Sequence, residues 1–195
     1  MRVIGGALGG RRFRGPPGDR TRPTSERVRE AVASALAARG AFGGETVLDL
    51  FAGTGALAFE ALSRGADRAV LVEQDRAVAR AIDESARSLG LERRARVVTL
   101  DLAANAETVA RKLDRDGPFG LIFADPPYAI AGLVPGLLHA LVQRGAIAPG
   151  ALAVVEYASR TPPEGLETLG SVDFYRYGDT TVAILVLPPT PEPIP

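Results

Sequence analysis

Between residues 46 and 156 the sequence alternates short apolar runs with amphipathic stretches. The apolar runs predict strands at 46–50, 69–73, 95–99, 120–124 and 151–156, and the stretches between them predict helices near 56–64, 75–89, 103–113 and 132–143. Such an alternation is typical of a parallel sheet covered by helices on both faces. The sequence therefore predicts an α/β, Rossmann-like fold, and a doubly wound sheet would have the strand order 3-2-1-4-5.

The C-terminal part of the chain departs from this alternation. Residues 172–177 and 181–187 flank Gly178-Asp179 and predict an antiparallel hairpin that closes the sheet. The segment 188–195 is rich in proline and predicts a disordered tail without a core of its own. We therefore expect a main domain that spans 41–187.

Residues 1–40 predict a separate extension. Glycine pairs separate 2–4 from 11–14, which indicates a small hairpin. Thr24 or Ser25 can cap a following helix, whose outer face would carry its arginines. Because the hairpin is short and lies outside the alternating region, we expect it to add little to the core.

Charge is unevenly distributed, although the formal net charge of the 195 residues is zero. Residues 1–30 contain eight arginines and three acids, which predicts an anion-binding face at the N-terminus. The alternative is a solvated arginine-rich surface, since almost every basic residue of the chain is arginine and the one lysine is at position 112.

The absence of cysteine excludes disulfides and cysteine nucleophiles, and one histidine leaves little scope for a metal site. Without an apolar run of about 18 residues, we expect a cytoplasmic protein with no membrane partner.

A glycine-rich turn follows the first predicted strand, in the segment from Asp49 to Ala58. Its G-x-G-x-x-A spacing also fits a dinucleotide-binding fingerprint, with Glu73 as the ribose acid. Asp49 favours a different cofactor, because a carboxylate there would repel a pyrophosphate. The same charge attracts the ammonium and sulfonium groups of S-adenosylmethionine.

Acidic residues end four successive predicted strands: Asp49, Glu73, Asp101 and Asp125. Ligands bind at the carboxyl edge of such sheets, so Glu73 can accept from ribose hydroxyls and Asp101 from an adenine amine. Each of these two acids has an alternative role as a helix cap. With strands 1 and 4 as neighbours, Asp49 and Asp125 would face one crevice.

The fourth strand ends in Asp125-Pro126-Pro127-Tyr128. Two prolines terminate the strand and leave carbonyls without competing N–H groups. Asp125 and the Pro126 carbonyl can accept both protons of a planar amine while Tyr128 stacks on its ring, which suits a nucleobase. The alternative is an ordinary turn with a surface tyrosine.

Several segments together resemble the RsmD family of bacterial 16S ribosomal RNA guanine-N2 methyltransferases, and the resemblance covers nearly the whole chain. The matching segments are Arg2-Val3-Ile4-Gly5-Gly6, Gly10-Arg11-Arg12, Arg22-Pro23-Thr24, Val28-Arg29-Glu30, Asp49 to Leu57, Glu60 to Ala66, Asp125 to Tyr128 and Tyr177 to Thr180. The resemblance implies methyl transfer from S-adenosylmethionine to a guanine exocyclic amine in 16S rRNA, within the small ribosomal subunit.

The predicted site follows from these motifs. Asp125, Pro126 and Tyr128 are the catalytic candidates. The cofactor-binding candidates are Asp49, Phe51, Gly53, Gly55, Glu73, Gln74, Asp101, Leu102 and Thr24, and the RNA-binding candidates are Arg11, Arg12, Arg14, Arg22 and Arg27. We expect a monomer that needs no metal. Two alternatives stay open: an amino-methyltransferase with another acceptor, such as adenine N6, and a non-methylating protein, either a nicotinamide-binding enzyme or a ribosome-assembly binder.

Overall fold

The computed structural model describes residues 1–16 and 26–188. The predictions for Arg22, Thr24 and Ser25, and for nearly all of the proline-rich tail, lie outside the described residues. The chain divides into two compact units, Met1–Leu100 and Asp101–Pro195. Among the described residues, no helix is long and apolar enough to cross a membrane.

The first unit contains three parallel strands, with β2 between β3 and β1. Its elements are α1 (Glu26–Ala38), β1 (Thr46–Asp49), α2 (Ala56–Arg64), β2 (Arg68–Glu73), α3 (Arg76–Leu89) and β3 (Ala95–Thr99). Every strand begins and ends within one residue of its predicted bounds. The helices end as expected too, because Gly90 adopts the left-handed conformation (φ 75°) that terminates α3.

The N-terminal hairpin, residues 1–14, packs into this unit. Its arms are joined by hydrogen bonds from Val3 N to Arg11 O (3.0 Å) and from Phe13 N to Met1 O (3.2 Å). Val3 is 1 % exposed and Phe13 is 6 % exposed. The Phe13 ring meets Phe59 of α2 edge-on, with ring centroids 5.2 Å apart. The expectation that the hairpin adds little to the core is therefore wrong.

Helix α1 buries its apolar face: Val32 and Leu36 are buried, and Arg27 is exposed. Arg29 is the exception to the expected outward arginines, since it is 2 % exposed. Its guanidinium donates to the Arg2 carbonyl at 3.3 and 3.4 Å, so the hairpin covers it. Burial lowers the pKa of Arg29, and the Glu60 carboxylate opposes that shift.

The second unit carries four strands in the order β4-β5-β7-β6. Its elements are α4 (Ala106–Leu113), β4 (Phe119–Ala124), α5 (Val134–Gln143), β5 (Ile147–Ala158), β6 (Ser171–Tyr177) and β7 (Thr180–Val186). Strands β4 and β5 are parallel, and β7 runs antiparallel to both β5 and β6. The predicted α/β class and the antiparallel C-terminal hairpin are both confirmed.

Candidate functional site

The glycine turn connects β1 to α2 with two residues in the left-handed conformation. Gly53 has φ 52° and Gly55 has φ 76°, a region that favours glycine. A Cβ at Gly55 would lie 2.9 Å from Cε2 of Phe59, so the turn lies directly against the helix that follows it. Asp49 precedes this turn as the last residue of β1 and is 1 % exposed.

Glu73, the last residue of β2, holds two loops together. One carboxylate oxygen accepts from Gly53 N at 3.1 Å, and the other accepts from Asp75 N at 2.9 Å. Asp75, and not Glu73, caps α3 by accepting from Ala77 N and Val78 N. The helix-cap alternative for Glu73 is therefore wrong. Because a carboxylate has about four acceptor sites, Glu73 keeps capacity for ribose hydroxyls.

Asp101 and its neighbour lie at the start of the second unit. The exposed Asp101 carboxylate accepts from Ala103 N at 2.9 Å, which forms a local turn. Asn105 caps α4 by accepting from Thr108 N, so the cap alternative for Asp101 is also wrong. Leu102 is buried. Among the other cofactor candidates, Phe51 is half-buried and Gln74 is exposed.

The Asp125–Tyr128 segment follows a strand whose residues are all buried. Asp125 is half-buried, Pro126 is buried, and Tyr128 is 38 % exposed at the start of a 3-10 turn. The Tyr128 hydroxyl lies 3.2 Å from Oγ1 of Thr180, the first residue of β7. Sequence reasoning did not select Thr180 as a site residue, although Thr180 lies in one of the segments that carried the family resemblance.

The predicted RNA-binding arginines differ in what they contact. The Arg11 guanidinium donates to Ser88 O at 2.7 Å and to Leu89 O at 2.9 Å, at the C-terminal end of α3. The side chains of Arg12, Arg14 and Arg27 are exposed. The Arg11 side chain thus binds the end of helix α3, whereas the other three arginine side chains are exposed to solvent.

The structure joins two of the predicted residues directly, and it adds a contact to one residue outside the predicted set. Gly53 and Glu73 are hydrogen-bonded within the first unit, and Tyr128 contacts Thr180 within the second. The crevice expected between Asp49 and Asp125 would span residues of both units, and it stays a prediction. The individual cofactor, catalytic and RNA-binding roles also stay predictions.

Comparisons with known proteins agree with this arrangement of elements. A family model described as "Conserved hypothetical protein 95" matches residues 1–186. The Ribosomal RNA small subunit methyltransferase D of Escherichia coli (strain K12) is 36 % identical over 156 residues, covering 80 % of this chain and 74 % of that protein.

Two further matches extend over almost the whole length of both chains. Bacillus subtilis (strain 168) YlbH, provisionally named an rRNA methyltransferase, is 33 % identical over 187 residues, covering 94 % of this chain and 97 % of that protein. A solved Escherichia coli structure, provisionally described as methyltransferase yhhF, superposes with a TM-score of 0.78 at 32 % identity, covering 97 % of this chain and 98 % of that one. The fold is therefore the Rossmann-like methyltransferase fold, and the chain belongs to the RsmD-like methyltransferase family.

Proposed function

We propose that this chain transfers a methyl group from S-adenosylmethionine to the exocyclic N2 amine of a guanine in 16S ribosomal RNA of the small subunit. Membership of the RsmD-like family supports the reaction class and the RNA substrate. The observation that carries the proposal is the segment after β4. There a fully buried strand ends in a half-buried carboxylate, followed by an exposed tyrosine ring whose hydroxyl contacts Thr180.

The residues around the β1–α2 turn fit S-adenosylmethionine. Asp49 places a buried carboxylate at the strand end, where it favours a positively charged ligand. Glu73 fixes Gly53 and retains acceptor sites for ribose hydroxyls, and the exposed Asp101 would accept from the adenine amine. When bound, the cofactor supplies a methyl group on a sulfonium, which needs no activation by the protein. These residues would therefore act by binding and orientation.

The acceptor residues would compensate for a weak nucleophile. The lone pair of guanine N2 is delocalised into the ring, so its direction and developing charge must be controlled. Asp125 and the Pro126 carbonyl would accept hydrogen bonds from the amine and offset positive charge that develops on nitrogen. Tyr128 would stack on the base, which is worth about 1–3 kcal/mol.

RNA would be held mainly through its phosphates. The exposed arginines at positions 12, 14 and 27 would supply affinity without sequence choice. The assembled small subunit is the proposed substrate, with the protein acting as a monomer that needs no metal.

A single substitution separates the acceptor role from cofactor binding. We expect Asp125→Ala to lower turnover by about 100-fold or more, because it removes the side-chain acceptor that would pair with the guanine amine. Calorimetry should find S-adenosylmethionine binding almost unchanged. Asp173→Ala, at an exposed position on β6, is the matched control and should keep normal turnover.

Locating the methylated nucleotide tests the substrate. Labelled methyl groups from S-adenosylmethionine are followed into small subunits, naked 16S rRNA and double-stranded DNA. The proposal expects a labelled guanine N2 in the RNA. Label on adenine N6 in DNA, or full turnover by the Asp125→Ala variant, would reject the acceptor assignment.

A further inference from the structure

A buried carboxylate of α2 binds the turn of the N-terminal hairpin. Glu60 is 2 % exposed, and its two oxygens accept from different backbone amides: Oε2 from Ile4 N at 2.7 Å and Oε1 from Gly5 N at 2.9 Å. Oε1 also accepts from Arg64 Nε at 2.6 Å. Three donors therefore use most of the acceptor capacity of this carboxylate. Glu60 is thus engaged in holding the backbone of the N-terminal hairpin against α2.

Ser63 completes the attachment one turn further along α2. Its hydroxyl donates to Gly5 O at 2.5 Å and accepts from Leu8 N at 2.9 Å. Glu60 and Ser63, which we call the α2 clamp, thus bind the backbone of the turn at three residues. The turn keeps this position through directional hydrogen bonds and not through apolar contact alone.

Two glycines let the turn approach the helix closely. Gly6 has φ 75°, and a Cβ there would overlap the backbone carbonyl of Ser63. A Cβ at Gly5 would overlap the guanidinium of Arg64. The backbone of the turn therefore lies flush against the last turn of α2, and the geometry of the contact is narrowly defined.

Fixing the turn also fixes the arm that carries the exposed arginines. Gly10 N donates to Val3 O at 2.8 Å, which sets the register of the two arms. The second arm is attached to α3 as well, because Ser85 Oγ donates to Arg14 O at 2.6 Å. Arg12 and Arg14 consequently extend from a backbone that is held by α2 on one side and by α3 on the other.

We propose that Glu60 is a positioning residue for the RNA substrate. By holding the hairpin on α2, it keeps Arg12 and Arg14 in a fixed arrangement that can meet neighbouring phosphates. This inference rests on the proposed function. Its physical basis is preorganisation, because cations that are already ordered lose less conformational entropy when they bind.

The carboxylate is required for a specific chemical reason. Glutamine has nearly the same shape but only one acceptor oxygen, and its NH2 group would face a backbone N–H or the Arg64 guanidinium. Glu60→Gln therefore removes at least one amide contact without leaving a cavity. A released turn would let both exposed arginines move with the hairpin.

Steady-state methylation at varied RNA concentration is the main test. For Glu60→Gln we expect the KM for small subunits or 16S rRNA to rise about tenfold. With saturating RNA, kcat should stay within about twofold, because neither cofactor nor acceptor group is touched. Calorimetry should give an unchanged Kd for S-adenosylmethionine.

Hairpin release is measured separately, without reference to activity. Trypsin cleavage after Arg12 and Arg14, together with hydrogen exchange at the amides of Ile4 and Gly5, should be faster in Glu60→Gln than in the wild type. Glu107→Gln is the matched control: it removes an exposed carboxylate that pairs with Arg144 at 2.7 Å in the second unit. This control should change neither the KM for RNA nor the cleavage rate.

Each outcome bears on one claim. If the wild type methylates no RNA, the proposed function fails, while the cleavage and exchange data still decide whether Glu60 holds the hairpin. A released hairpin with a wild-type KM overturns the positioning role, and so does a raised KM with unchanged cleavage and exchange.

If Glu60→Gln does not fold, Ser63→Ala replaces it. For Ser63→Ala we expect faster cleavage and a KM for RNA that is raised about threefold. Faster cleavage of that variant without any change in KM would be equally decisive against the role.

Discussion

The N-terminal hairpin and the β6–β7 hairpin are attached to their respective units by different contacts. Strands β6 and β7 pair continuously, from Ser171 opposite Val186 to Tyr177 opposite Thr180, and β7 pairs again with β5. The N-terminal arms form one isolated bridge, between Arg2 and Arg12, and a few backbone hydrogen bonds. What holds them instead is a set of side chains from α1, α2 and α3: Arg29, Phe59, Glu60, Ser63 and Ser85.

This difference predicts where each hairpin is sensitive. A backbone ladder is made by every residue, so it tolerates changes of side chain that keep the strand conformation. An attachment made by a few buried side chains depends on each of them, since removing one partner leaves a buried polar group unsatisfied. The N-terminal hairpin should therefore respond strongly to single substitutions, and the β6–β7 hairpin should respond weakly.

A pair of phenylalanine substitutions should give the largest contrast. Phe13 is 6 % exposed and packs against Phe59, whereas Phe174 of β6 is 50 % exposed. We expect Phe13→Ala to cost about 3–5 kcal/mol of unfolding free energy. Phe174→Ala should cost less than about 1 kcal/mol. Urea denaturation followed by circular dichroism measures both, and an equally small loss for Phe13→Ala would show that the packing of Phe13 contributes little to stability.

Two glycines within the N-terminal hairpin should give the next largest effect. Gly6 and Gly10 both have positive φ, 75° and 82°, so alanine introduces about 1–2 kcal/mol of strain at either site. Only at Gly6 would the new Cβ meet α2, while at Gly10 nothing lies within 4 Å. Gly6→Ala should therefore lose about 1–3 kcal/mol more than Gly10→Ala.

The same urea titrations decide this comparison. Trypsin cleavage after Arg12 should accelerate in Gly6→Ala and stay slower in Gly10→Ala, because only the first substitution separates the turn from the α2 clamp. Indistinguishable stabilities and cleavage rates would mean that the close approach to α2 contributes nothing beyond the left-handed backbone.

The contrast also explains what the sequence could predict. Strands β1 to β3 and helices α2 and α3 were located closely because periodicity and terminal glycines are local signals, as at Gly90. Farther along, β5 begins four residues earlier than predicted and α4 begins three residues later. The position of the N-terminal hairpin carries no such signal, since glycine-rich segments have no period and their contacts are distant in sequence. Glu60 offered one clue: it is an acid between Phe59 and Ala61 in a helix whose neighbouring residues are apolar.

For the candidate site too, the positions of residues could be predicted from the sequence and their contacts could not. Acids at strand ends were identified because they directly follow apolar runs, and Asp49, Glu73 and Asp125 lie where that pattern placed them. Their contacts were not predictable. The bond from Gly53 N to Glu73 joins residues twenty apart, and Thr180 lies 52 positions from Tyr128. The alternative role of Glu73 and Asp101 as helix caps is wrong because both helices begin later than expected. Helix α3 begins at Arg76, one residue later, and α4 begins at Ala106, three residues later.

The smallest effect should come from the exposed contact between the N-terminal hairpin and α1. Arg2 Nη2 lies 2.8 Å from Glu26 Oε2, and both side chains are about half exposed, at 56 % and 49 %. The hydrogen bond from Arg2 lowers the pKa of Glu26 below its usual value. A carboxyl whose pKa falls on folding stabilises the folded state above its unfolded pKa, and this contribution is lost as pH falls through the folded value.

We therefore expect Glu26→Gln to shift the melting temperature only slightly at pH 7, because exposed ion pairs are strongly solvated and screened. The difference from the wild type should shrink as pH falls below about 4.5 and disappear in acid, where Glu26 is protonated in both states. Added salt at pH 7 should also reduce it. A difference as large as that of Glu60→Gln, or one that persists at pH 3, would show that exposed contacts hold the hairpin as firmly as buried ones. In that case the buried hydrogen bonds of the α2 clamp would hold the N-terminal hairpin no more firmly than the exposed Arg2–Glu26 pair does.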